Sequence, residues 1–133
     1  MSQSARTALL ILDVQNEFVD PKGKVGSQGF AKIIEQRRII PNIARAQAAF
    51  RAKGLPVAFV NVAYRADYRD AISRSARLKH LIDMNAIVDG TWGVEFPEAI
   101  KPLPRERVQV SVTAQIDNAS LKDALPGVDV TDG

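Results

Sequence analysis

The feature that most constrains this chain is the run Ala8-Leu9-Leu10-Ile11-Leu12, which ends on a carboxylate, Asp13. It lacks the polar alternation of a half-exposed strand. Read alone, it is a central parallel strand covered on both faces. Asp13 then stands at the strand's carboxyl end. In open α/β sheets ligands bind in the crevice beyond those ends, so Asp13 is a candidate for chemistry.

The order of the chain supports a parallel sheet. The turn Asp20-Pro21-Lys22-Gly23, with Gly26 and Gly29 beyond, predicts a flexible rim for a site. Apolar residues then fall at helical spacing: Phe30, Ile33 and Ile34, followed by Ile40, Ile43, Ala46 and Phe50. Pro41 interrupts them and predicts a kink, or a second helix with Pro41 in its first turn. Gly54 is a helix stop. Pro56 to Val62 reads as the second strand, and strand, helix and strand imply a right-handed βαβ crossover. Ala63 to Glu106 is a long, weakly periodic connection with a short helix at Ile72 to Ile82, and long connections in compact domains are often lids or binding loops. Arg107 to Thr113 alternates, with Val108, Val110 and Val112 on one face, and predicts an edge strand with one wet face. Asp117 or Asn118 can cap a last helix through Leu125, and Pro126 to Val130 approaches another strand.

Composition narrows the function. With 133 residues, 46% hydrophobic and 25% charged, the chain fits one globular domain. It has no cysteine, hence no disulfide and no thiolate nucleophile or ligand. No apolar run approaches the roughly 18 residues needed to cross a bilayer, and the short polar start predicts a cytoplasmic protein with no membrane partner. The formal charge is +3 and the pI about 9.4, but the basic residues are interleaved with acids. The densest basic segment comprises Arg65, Arg69, Arg74, Arg77, Lys79 and His80, with Tyr64 and Tyr68 beside it. It reads as a solvated face, and no nucleic-acid partner is predicted.

Four segments then carry a resemblance. They are Leu10-Ile11-Leu12-Asp13-Val14-Gln15-Asn16-Glu17-Phe18; Ile40-Pro41-Asn42-Ile43-Ala44 leading to Phe50-Arg51-Ala52-Lys53-Gly54-Leu55-Pro56-Val57; Phe59-Val60-Asn61-Val62-Ala63-Tyr64-Arg65; and Gly90-Thr91-Trp92-Gly93-Val94-Glu95. In order and spacing, through about residue 108, the chain resembles the isochorismatase-like hydrolases, or cysteine hydrolases. The resemblance implies an α/β fold of three layers, Rossmann-like, with a parallel β-sheet incomplete at the C-terminal side, in a single truncated or diverged domain over residues 1–133.

The resemblance also implies a division of labour. The strand-end aspartate, Asp13, takes a thiol proton, a lysine stabilises the charged pair, and a thiolate attacks an amide carbonyl. Some relatives instead use the aspartate as an acid on a vinyl ether, which requires a raised pKa in a dry pocket. The lysine position falls at Val110 or Ser111, and the cysteine would lie beyond Gly133. Ser111 and Ser120 match neither. Asp13 is therefore the one catalytic candidate, in a hydrolase of a small-molecule amide or vinyl ether that is impaired; the alternative is a polar residue capping a strand end without chemistry. By resemblance Phe18, Tyr64 and Trp92 wall the substrate pocket, whereas the plainer reading of Trp92 is a plug at the core's edge. The second-strand exit has no histidine, so no metal and no cofactor are predicted. Family topology puts later strands beyond the first. Without them Ala8 to Leu12 becomes an open edge, which predicts a homo-oligomer, an interaction module (a pseudoenzyme that pairs through that edge), or a marginally stable chain that aggregates.

Overall fold

In the computed structural model the described residues are 7–71 and 75–111. They form a three-stranded parallel sheet in the order β1 (Leu9–Leu12), β2 (Val57–Val62), β3 (Val108–Ser111). Register is fixed by Ile11 opposite Phe59 and by Asn61 opposite Val110. Between β1 and β2 run three helices, α1 (Asn16–Val19), α2 (Phe30–Gln36) and α3 (Ile39–Ala52). The connection from β2 to β3 carries α4 (Ala76–Asp83) and short 3-10 turns at Trp92–Val94 and Glu98–Ile100.

Pro41 does what its missing amide dictates. The helical stretch breaks at Arg38, which takes a left-handed φ of 53°, and α3 begins with Pro41 in its first turn. Gly54 closes α3 at φ 68°, where the open space around its Cα leaves conformation alone to select glycine. The predicted crossover is thus present, with α3 laid against β1 and β2.

Two apolar clusters result. Beneath the sheet, Ile11, Val57, Phe59, Phe96 and Ile100 pack with Ile40, Ile43 and Phe50 of α3, and Phe59 meets Phe96 edge-on at 4.9 Å. Beyond the carboxyl end of β2, Val62, Ala63, Tyr64, Leu78, Leu81, Ala86, Ile87 and Val94 form the second. The long connection therefore has a core of its own and roofs the strand ends.

Several expectations need correction. In the described sheet β1 is an edge and not a central strand, and Leu12 is 48% exposed. On α2 only Ala31 is buried, and Phe30 and Ile33 face water. On β3 the valine face is the wet one: Val108 and Val110 are exposed because α3 covers β1 and β2, the neighbouring strands. The presumed flexible rim is compact, with Gly23 and Gly26 buried against the backbone of residues 16 to 20. Of the predicted helix Ile72 to Ile82, residues 72–74 lie outside the described residues, as do the last helix, the strand at Pro126 to Val130, and Ser120. Among the described residues no helix is long and apolar enough to cross a membrane.

Candidate active site

Asp13 leaves β1 in a left-handed conformation, φ 58°, which a non-glycine residue adopts at a cost. Its amide still donates to the Val60 carbonyl at 2.9 Å, so the turn is pinned to β2. The carboxyl is half-buried, and its Oδ1 is sealed from solvent with no hydrogen-bond partner. Burial pushes its pKa above the ordinary carboxyl value, and the positive charge of Arg77, in the first turn of α4, pulls the other way. The net rise favours the protonated acid.

The residues that follow Asp13 build the walls. Gln15 is fully buried: its Nε2 donates to the carbonyls of Val62 at 2.8 Å and Val94 at 3.1 Å, and its Oε1 accepts the Val62 amide at 2.9 Å. One side chain thus ties the exit of β2 to the turn at Trp92–Val94. Asn16 donates from Nδ2 to the Trp92 carbonyl at 3.0 Å, and from its amide to the Glu95 carbonyl. The buried Glu17 carboxylate accepts the amides of Lys24 and Ile87, both at 2.9 Å. Gly93 is required here, because a Cβ at that position would overlap the Glu17 carboxylate.

Sequence reasoning missed these three roles. Polar residues after an apolar strand look like chemistry, but the side-chain hydrogen bonds of Gln15, Asn16 and Glu17 go to backbone partners. The one available signal was that Gln15, Asn16 and Glu17 precede a glycine-rich loop and answer a second one at Gly90 to Gly93, where backbone groups need partners.

The four sequence-predicted site residues separate. Tyr64 is 5% exposed, within the cluster beyond β2, and its phenol is pushed to a higher pKa by burial and by the nearby charges of Asp70 and Asp13. It stands beside Asp13 as part of the core. Phe18 packs on that same cluster, half-buried. Trp92 is the exception: 45% exposed, it is no plug, and Phe96 fills the core position instead. His80 is exposed and meets Gln28 at 3.3 Å. Among the described residues no three acidic or histidine side chains gather where they could hold a metal ion.

An aspartate at the exit of the first strand is what the resemblance implies, and the family model for the isochorismatase domain matches residues 7–125. The chain belongs to the isochorismatase family. Among curated relatives of this isochorismatase-family chain, the ureidoacrylate amidohydrolase RutB of Methylorubrum extorquens is 27% identical over 114 residues, which is 77% of the chain and 46% of RutB. That of Methylobacterium radiotolerans is 29% identical over 116 residues, 78% of the chain and 45% of the relative. The chain thus spans about half the length of the curated relatives it matches. An isochorismatase family protein from Desulfovibrio vulgaris superposes with a TM-score of 0.63 at 32% identity, covering 81% of the chain and 53% of its own. The N-carbamoylsarcosine amidase of Thermoplasma acidophilum shares the fold, with a TM-score of 0.56 at 23% identity over 78% of this chain and 50% of its own.

Proposed function

We propose that this chain carries the acid–base half of an isochorismatase-family hydrolase site for a small-molecule amide or vinyl ether, with Asp13 as its proton-transferring group. The observation that carries this reading is the Asp13 carboxyl: half-buried, raised in pKa, unpaired at Oδ1, and held at a strand exit by a strained backbone. A carboxyl whose burial raises its pKa gives up its proton less readily than a free one and can deliver it to a leaving nitrogen or to a vinyl carbon, and its conjugate base can take one from a nucleophile. Phe18 and Tyr64 would supply apolar wall on one side, and the exposed Trp92 ring would cover the substrate from the other.

None of the 133 residues is a cysteine, and the family lysine position falls on Val110 or Ser111. Covalent thiolate attack is therefore not open to these residues, and turnover by them is impaired relative to a hydrolase that uses a cysteine. The test is hydrolysis of ureido and carboxamide substrates and of an enol-pyruvyl ether, with purified wild type and Asp13→Asn. Weak turnover that the substitution abolishes supports the reading. Turnover that survives it overturns it.

A second reading rests on the edge of β1. Leu9 and Asp13 donate towards β2, so by the period of a strand the backbone groups of Leu10 and Leu12 point the other way, unpaired within the described sheet. With half-exposed Leu12 beside them, these groups can accept a strand from a second copy, and the chain then serves as an interaction module. Light scattering after chromatography separates the cases: a dimer without turnover favours the module, and an active monomer the enzyme.

A further inference from the structure

Among the described residues, two side-chain oxygens are sealed from solvent with no hydrogen-bond partner: Oδ1 of Asp13 and Oδ1 of Asn61. Asn61 is 8% exposed and lies one residue before the end of β2. Leu12 is paired with Val60, so Asp13 and Asn61 are the next residues of adjacent strands, and Val110 lies across from Asn61 on the other side. Phe59, two residues earlier on the same face, is wholly buried. Neither Phe59 nor Val110 has a side-chain donor to offer. Buried amide oxygens are nearly always paired, so an orphan one beside the candidate acid demands an explanation.

We propose that Asn61 is a substrate-orienting residue of this site, its side-chain oxygen accepting an N–H of the substrate's amide or ureido nitrogen and so selecting amides over ethers and esters. This rests on the reading that substrate binds at Asp13. A buried acceptor on Asn61, one strand over from the candidate acid and without a partner, matches a group that brings an N–H bond. An amide or ureido nitrogen does so. An ether or ester oxygen is itself an acceptor and leaves the Asn61 oxygen unpaired in a dry site, the situation in which discrimination is largest. Of the two substrate classes open above, Asn61 favours the amide.

The test is a titration of the isotope-labelled chain, followed at the Asn61 side-chain amide and the Asp13 carboxyl carbon, with N-methylurea as donor probe and methyl acetate as the probe that lacks N–H. N-methylurea is expected to give saturable shifts at both groups and methyl acetate none. Asn61→Leu is expected to weaken N-methylurea binding by at least about tenfold while its thermal midpoint holds or rises, because an unpaired buried oxygen has been removed. A structural role for Asn61 predicts the reverse, a fall in midpoint with binding retained. Equal binding of the two probes by wild type overturns the proposal without reference to any variant. Asp13-dependent turnover together with absent N-methylurea binding sinks the role of Asn61 alone, and saturable binding without turnover sinks the hydrolase reading alone.

Discussion

The carboxylate of Glu17 accepts the amide of Ile87 at 2.9 Å, across a separation of 70 residues, and Ile87 is held at φ 51° with no exposed surface. A β-branched residue in the left-handed region is strained by on the order of 1–3 kcal/mol and persists only where its surroundings over-determine it. Here they do. Glu17 holds the amide, the Tyr64 amide donates to the Ile87 carbonyl at 2.9 Å, and the side chain fills the cluster beyond β2. The connection that roofs Asp13 is therefore fastened by a residue only four positions after Asp13.

Glu17→Gln tests that fastening. The substitution keeps one acceptor oxygen but turns an NH2 towards a backbone donor, leaving a buried amide unpaired. The expected loss is about 2 kcal/mol in a urea transition whose slope is unchanged. Amide exchange at Ile87 and Lys24 is expected to quicken beyond what the global loss explains. Unaltered stability with unaltered protection at those two amides would show that the clamp is ornamental.

What the sequence made legible follows from how local each signal was. Ala8 to Leu12, Pro41, Gly54 and Pro56 to Val62 act through their own backbone or immediate neighbours, and each produced the element expected of it. Asp13 was legible as a strand end, because a carboxylate after five apolar residues marks an exit. Its left-handed turn was not, since nothing in Leu-Asp-Val demands it. Trp92 and Phe96 lie four residues apart among the same turns, and only packing decides which goes inside. Phe30, Ile33 and Val110 kept the periodicity of buried positions while facing water, because a pattern names a face but not what covers it. Gln15 and Glu17 bond to backbone 47 and 70 residues away, a distance at which residue type alone carries no address.

Asp13 is expected to lower stability as pH rises. Its carboxyl has a folded-state pKa above the ordinary 3.8, because burial disfavours the charged form more than Arg77 favours it. Between the unfolded and folded pKa values the native state binds more protons, so stability declines as pH climbs through that window and stays reduced above it. Asn in place of Asp13 cannot ionise. Asp13→Asn is expected to be more stable than wild type at neutral pH, with the difference closing below about pH 4. Chemical denaturation of both proteins at pH 3.5 and 7.5 gives the answer, and an equal difference at both values would mean that Asp13 titrates as it does in the unfolded chain.

Glu106 slopes the other way. Burial alone would raise its pKa, but side-chain bonds from Arg51, at 3.0 Å and 2.6 Å, outweigh that together with the Leu103 amide and the charges of Arg51 and Arg105, and hold the carboxyl below its usual 4.5. The stability it contributes is present above the unfolded pKa and is lost as pH falls through the folded one. The fork ties the end of α3 to the approach to β3 with both side chains largely buried. Glu106→Gln is expected to cost about 1–2 kcal/mol at pH 7 and progressively less in acid. A constant deficit across that range would assign the loss to packing and not to the ion pair.

The edge of β1 is where the two functional readings diverge most sharply. Leu12 is 48% exposed at the end of a strand whose outer backbone groups have no partner in the described sheet. A strand from a second copy would pair with Leu10 and Leu12 and bury the Leu12 side chain. A lysine there would have to bury its charge on pairing, which is how natural sheets protect an edge. Leu12→Lys loses little in the monomer, because the side chain already reaches water, so its fold as read by circular dichroism is expected to match wild type. Its molar mass by light scattering is expected to be that of one chain at concentrations where wild type self-associates. Should wild type and Leu12→Lys associate alike, the contact lies elsewhere, and the exposed Phe30 and Ile33 on α2 become the next residues to change.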